Sequence, residues 1–282
     1  MKKILIPTIL FLLFQSCTQD NNSSTKKHNI AYGSDSQQKM DVYIPTNTEE
    51  NTPFVVWIHG GGWTAGNKDD DRWIQDYLYN NKIASANINY RLTSTANPNI
   101  DGEEIYADVD AAIDYVAAHL NEWGLNNNGF VLAGHSAGGH LALHRGYKYT
   151  NQDIKGIASF AGPTDFYTSN SRNHYFSNAD LKGMVNRLCG TNYQLGDSVP
   201  QAFYDNSPLY FINPDIKVLM VYGTIDNVVP YFQAEMLRDS LQANNANYEL
   251  VTQQLAGHDL GLLIPTVKEQ LSYKFVQFVK SL

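Results

Sequence analysis

At 282 residues, with 43% hydrophobic and 17% charged side chains, the chain can bury a substantial core, as one large α/β domain or two small ones. A formal charge of −8 excludes a phosphate-backbone partner, because nucleic-acid binding draws on clustered Lys and Arg. No internal repeat is visible, and beyond the N-terminus no segment has the roughly 18 uninterrupted apolar residues of a membrane span.

The first 16 residues read as an export signal: Lys2 and Lys3 form a basic start, and Ile4 to Phe14 is an apolar run too short to cross a bilayer. Phe14-Gln15-Ser16-Cys17 follows and resembles the lipobox of bacterial lipoproteins, which implies acylation of Cys17 and an outer-membrane lipoprotein facing the periplasm or the outside. Polar residues 17–27 then form a tether, so that membrane contact is expected only through the N-terminal lipid. Cys189 is the other cysteine, placed in a helical pattern, and no disulfide with Cys17 is expected.

From His28 to the C-terminus, apolar runs alternate with helical periodicity, which predicts a mostly parallel sheet with helices on both faces. Met40 to Ile44, ended by Pro45, reads as an antiparallel edge strand. Core strands are predicted at Phe54–Ile58, Ile83–Ile88, Phe130–Ala133, Ile157–Phe160 and Val218–Val221, with a strand-like segment from Tyr248 to Leu255. Tyr106, Val109, Ile113, Val116 and Leu120 recur at helical spacing before Gly124, and a last helix starts at Pro265. Residues of about 166–214 interrupt the alternation, are rich in Asn, Ser, Tyr and Gly, and read as a small cap with a helix near Ala179–Leu188.

Gly134-His135-Ser136-Ala137-Gly138 matches G-x-S-x-G between a strand and a helical pattern, the setting in which a sharp turn presents a nucleophilic serine. His59-Gly60-Gly61-Gly62-Trp63 follows another strand, and its backbone amides, with that of Ala137, can face a developing oxyanion. A phosphate-cradling loop fails there on spacing, because Lys68 comes one place late and Asp69 stands where a hydroxyl would hold Mg²⁺. The acid and base should follow the serine in that order, each in a loop after a late strand. Asp226 and His258 arrive in that order and in such loops, with Asp259 as the rival acid. His140 and His144 share one helix face but lack a carboxylate beside them, so they read as packing residues, and no metal or cofactor is expected.

These segments resemble the α/β-hydrolase superfamily, and within it the esterases that include bifunctional feruloyl and acetylxylan esterases, hormone-sensitive-lipase-like esterases and kynurenine formamidases. The resemblance runs from about Tyr32 to the C-terminus through Met40-Asp41-Val42-Tyr43, HGGGW, Asn89-Tyr90-Arg91-Leu92, GHSAGG, Ser207-Pro208-Leu209, GTIDNVVP and Gly257-His258. It implies an α/β-hydrolase fold with a small cap, catalysis by Ser136, Asp226 and His258, and oxyanion donors at Gly61, Gly62 and Ala137, with the residue at Trp63 contributing in some relatives. The expected substrate is a small-molecule or polysaccharide ester carrying a short or aromatic acyl group, such as acetate or ferulate on xylan. A small-amide hydrolase, formamidase or peptidase, would use the same residues, and a non-catalytic carbohydrate-binding lipoprotein could keep the fold.

Overall fold

The computed structural model describes residues 24–48 and 51–282. Cys17, the export signal and the first part of the tether lie outside those residues. Among the described residues eight strands form one sheet: β1 (Thr25–Ala31), β2 (Lys39–Ile44), β3 (Phe54–Ile58), β4 (Ser85–Ile88), β5 (Phe130–His135), β6 (Ile154–Phe160), β7 (Lys217–Gly223) and β8 (Tyr248–Gln253). Their order is β1-β2-β4-β3-β5-β6-β7-β8, with β2 running opposite to the other seven.

The α-helices among the described residues are α1 (Arg72–Asn80), α2 (Gly102–His119), α3 (Ala137–Lys148), α4 (Ser169–Phe176), α5 (Ala179–Leu188), α6 (Gln201–Asp205), α7 (Phe232–Ala243) and α8 (Pro265–Lys280). Along β3, Phe54, Val56 and Ile58 enter one core with the buried sides of α2, α3 and α7, while Val55 and Trp57 enter a second core with α1 and α8. A strand covered on both faces has no polar face to show, which is why its sequence is a continuous apolar run. Trp57 packs its ring 5.6 Å from Phe160 and 5.8 Å from Phe275, tying β3, β6 and α8 together.

Two expectations about the sheet edge are corrected. β2 is interior, because β1 covers it, and β1 begins at Thr25, inside the segment read as tether. β1 has no apolar alternation to announce it. Backbone pairing holds it, together with Lys26 Nζ, which sits 4.2 Å from the Tyr43 ring centre and 2.8 Å from Asp76.

The cap runs from α4 to α6 and is fastened at its base by buried polar contacts. Asp165 accepts from Ser171 Oγ at 2.5 Å, Thr168 Oγ1 at 2.6 Å and Tyr210 OH at 3.0 Å. Gln233 of α7 bonds the Thr164 and Asp165 amides, each at 2.8 Å, and Ser207 Oγ accepts from Phe166 N at 2.8 Å. Such satisfied networks hold a polar insertion in one place over the sheet.

Candidate active site

β5 ends at His135, and Ser136 turns the chain into α3 with φ 54° and ψ −120°. A non-glycine residue there is strained by about 1–3 kcal/mol and persists only where its surroundings fix it. Ser136 N donates to Phe160 O at 2.8 Å. A Cβ on Gly138 would overlap the carbonyls of Ile58 and His59, so only glycine lets α3 start this close to the end of β3.

Asp226 lies just past β7 and His258 just past β8. His258 Nε2 is 2.8 Å from Ser136 Oγ, and its Nδ1 is 2.7 Å from Asp226 Oδ2. The other Asp226 oxygen accepts from Val228 N at 2.8 Å and Val229 N at 2.9 Å, which fixes the buried carboxylate. Because Nδ1 faces a carboxylate it carries the ring proton, leaving the Nε2 lone pair for the serine hydroxyl. Asp259, one residue from the imidazole, is exposed and takes no part in this chain of bonds.

The turn after β3 lies across from the serine. Gly61 closes it, its carbonyl accepting from Thr64 N at 3.1 Å and Ala65 N at 3.0 Å. Gly61, Gly62 and Trp63 have φ of 115°, 59° and 60°. Gly62, Trp63, Ser136 and Ala137 line one pocket, and Gly61 stands outside that lining. Ala137 is the first residue of α3, so its amide lacks an intrahelical acceptor and sits at the positive end of the helix dipole.

The Asn89-Tyr90-Arg91 segment braces this turn. Tyr90 stacks on His59 with centroids 4.3 Å apart and donates to His59 O at 3.1 Å. Arg91 is anchored by Asp108, fully buried, at 2.7 Å from Nη2 and 2.9 Å from Nε. Trp63 O accepts from Thr93 N at 2.8 Å.

The sequence reading assigned no role in the site to His135 or to the apolar wall that α5 supplies. His135, the variable position of G-x-S-x-G, donates from Nε2 to His258 O at 2.9 Å. Burial and the neighbouring His258 push its pKa down. Tyr175 of α4, Leu181, Met184 and Val185 of α5, and Val228 and Val229 complete the pocket wall. Only the helical spacing 181, 184, 185 hinted at an apolar face, and nothing local showed what it faced. His140 and His144 donate to Asn206 O at 2.8 Å and Asp205 O at 3.0 Å, tying α3 to the cap. Cys189 is a buried free thiol whose pKa burial raises.

The cap contributes little exposed apolar surface. Ile225, Leu255, Leu263 and Ile264 are exposed instead on the loops around Asp226 and His258.

The strand order, the single reversed strand and the strand–Ser136–helix turn define an α/β-hydrolase fold. The chain belongs to the BD-FAE family, matched over residues 40–241. It is similar to isoprenylcysteine alpha-carbonyl methylesterase ICME of Arabidopsis thaliana, at 24% identity over 81% of this chain and 55% of the relative. The probable carboxylic ester hydrolase LipM of Mycobacterium tuberculosis is 25% identical over 84% of this chain and 54% of its own length. A shorter match, 29% identical over 40% of this chain and 36% of the relative, is to kynurenine formamidase of Salmo salar. The chain thus spans about half, or less, of the curated relatives it matches. Among solved structures, a truncated carbohydrate esterase from gut microbiota has a TM-score of 0.74 at 20% identity, covering 93% of this chain and 99% of that one. Esterase B from Lactobacillus rhamnosis has a TM-score of 0.72 at 20% identity, covering 92% and 86%. At this identity the likeness establishes the fold.

Proposed function

We propose that the protein is a serine carboxylic-ester hydrolase working in two steps without a metal. The observation that carries this reading is the hydrogen-bonded line Asp226–His258–Ser136 at the strained turn. In the first step Ser136 Oγ bonds to the ester carbon while its proton passes to His258 Nε2. The carbonyl oxygen becomes an oxyanion facing the amides of Ala137 and the Gly61-Gly62-Trp63 turn. The C–O bond to the alcohol then breaks, and His258 returns the proton to the leaving alkoxide. Water, deprotonated by His258, releases the acid by the same steps in reverse, and Asp226 holds the imidazole and stabilises it when charged.

The substrate class we propose is an acetyl or feruloyl ester on plant-type polysaccharide such as xylan. Membership of the BD-FAE family and the likeness in fold to a carbohydrate esterase from gut microbiota support it. The test compares kcat/KM for acetyl, butyryl and octanoyl p-nitrophenyl esters, methyl ferulate, acetylated xylan and N-formylkynurenine. Acetyl or feruloyl turnover should lead, and octanoyl or formamide turnover about tenfold higher, near 1.4 kcal/mol in transition-state binding, would overturn the assignment.

Export and membrane attachment through Cys17 belong to the same proposal, on the strength of the basic start, the short apolar run and the polar stretch after Cys17. A fatty-acid analogue fed to cells should label the wild-type protein, and equal labelling of Cys17→Ser would refute attachment there.

A further inference from the structure

The pocket beside Ser136 is apolar and narrow, and α5 of the cap forms its far wall. Leu181, Met184 and Val185, at i, i+3 and i+4, turn one face of that helix toward the serine. Met184 reaches the glycine turn itself: a side chain on Gly62 would meet its sulfur at 2.5 Å, so the thioether lies against the turn that faces the oxyanion. The space left is about 30 Å³, room for about two to three water-sized groups.

Which part of an ester enters this space follows from proton transfer. The leaving alcohol must lie against His258 Nε2 to receive its proton, and the oxyanion must face the amides. His258 is absent from the pocket lining, whereas Gly62, Trp63 and Ala137 are part of it. The remaining substituent of the tetrahedral carbon is the acyl chain, so the pocket is the acyl site.

Resting on the esterase reading above and narrowing its acyl class, we infer that Met184, with Leu181 beside it, sizes this pocket for acetyl or propionyl, so that feruloyl, whose ring and propenoyl linker exceed the space, is turned over far less well. The polysaccharide esters that fit are therefore acetates. Met184 touches the acyl group and acts as a specificity determinant, with no part in proton transfer.

The experiment measures kcat/KM for p-nitrophenyl acetate, butyrate and hexanoate with the full-length chain and with Met184→Ala, Leu181→Ala and Met184→Phe. The ratio between two esters in one preparation does not depend on how much of it is folded, so an unstable variant still reports. Wild type should favour acetate over butyrate at least tenfold. Met184→Ala should raise the butyrate-to-acetate ratio about fifteenfold, at roughly fourfold for each of the two additional buried methylenes, and Leu181→Ala should move it the same way. Met184→Phe should lower it. A ratio unchanged in both alanine variants, or wild-type turnover of methyl ferulate equal to that of the acetate, overturns the inference while leaving the esterase reading intact. Absence of any ester turnover by wild type overturns both.

Discussion

His135 Nε2 donates to the carbonyl oxygen of His258 at 2.9 Å, so the residue before the serine holds the loop that carries the general base. The two imidazole rings are 5.0 Å apart. Strand β5 therefore sets both ends of the Ser136–His258 hydrogen bond: one through the turn, the other through a side chain. His135→Phe keeps the ring volume and removes the donor. It should lower kcat by about ten- to a hundredfold with little change in KM, since misplacing a catalytic group by about an ångström has an effect of that order. His135→Gln, which restores an N–H, should recover most of the loss. A kcat unaffected by His135→Phe would show that the loop is held by other contacts.

Arg91 and Asp108 make the second prediction. Asp108 is fully buried and accepts from Arg91 N, Nε and Nη2, and from Gln38 Nε2 at 2.7 Å. Removing the arginine leaves a buried carboxylate without its counter-charge, which typically costs about 3–5 kcal/mol. Arg91→Ala should therefore lower the urea midpoint by that amount of stability at neutral pH, and Asp108→Asn should relieve part of the loss in the double variant. Additive losses in the double-mutant cycle would argue against a coupled pair.

How much of this was legible in the sequence depended on whether a contact is local. Phe54–Ile58 and Ala179–Leu188 coincide with β3 and α5, because a doubly covered strand and a helix with a clear apolar stripe each announce their period. The helix starting at Pro265 was legible for its fixed φ. α1 was not read, because one of its buried positions is Gln75, which bonds to Asp41 O at 2.8 Å and breaks the apolar pattern. β1 was missed because its lysines are held by an aromatic ring and a carboxylate from other elements. In the site, Ser136, Asp226 and His258 follow from motif and chain order. His135 and Met184 do not, since one acts through a partner 123 residues away and the other faces Gly62 from the cap.

Acid should destabilise the protein through His140. Its ring is fully buried among Trp63, Tyr106 and Phe166, and burial pushes its pKa down to about 4 from an ordinary value of 6.5. Above pH 6.5 the ring is neutral in both folded and unfolded chains, and the full stability is present. Between pH 6.5 and 4 the unfolded chain binds the proton first, so stability falls with pH by roughly 3 kcal/mol in total. His144, also depressed by burial and by His140 beside it, adds a loss of the same sign. Urea unfolding at a series of pH values should show this slope, and His140→Gln, which keeps a donor for Asn206 O, should reduce it. An identical slope in wild type and variant would place the acid sensitivity elsewhere.

The central claim is that Ser136 is a nucleophile activated by His258 and oriented by Asp226. Reaction of the purified protein with a fluorophosphonate, followed by peptide mapping, tests it most directly, because the reagent reacts with serines activated in this way. One equivalent should attach, on the peptide containing Ser136, with ester turnover falling in parallel. Ser136→Ala should take up no label and lose activity by about 10⁴- to 10⁶-fold. Labelling at another residue, or wild-type turnover that survives full labelling of Ser136, would contradict the mechanism.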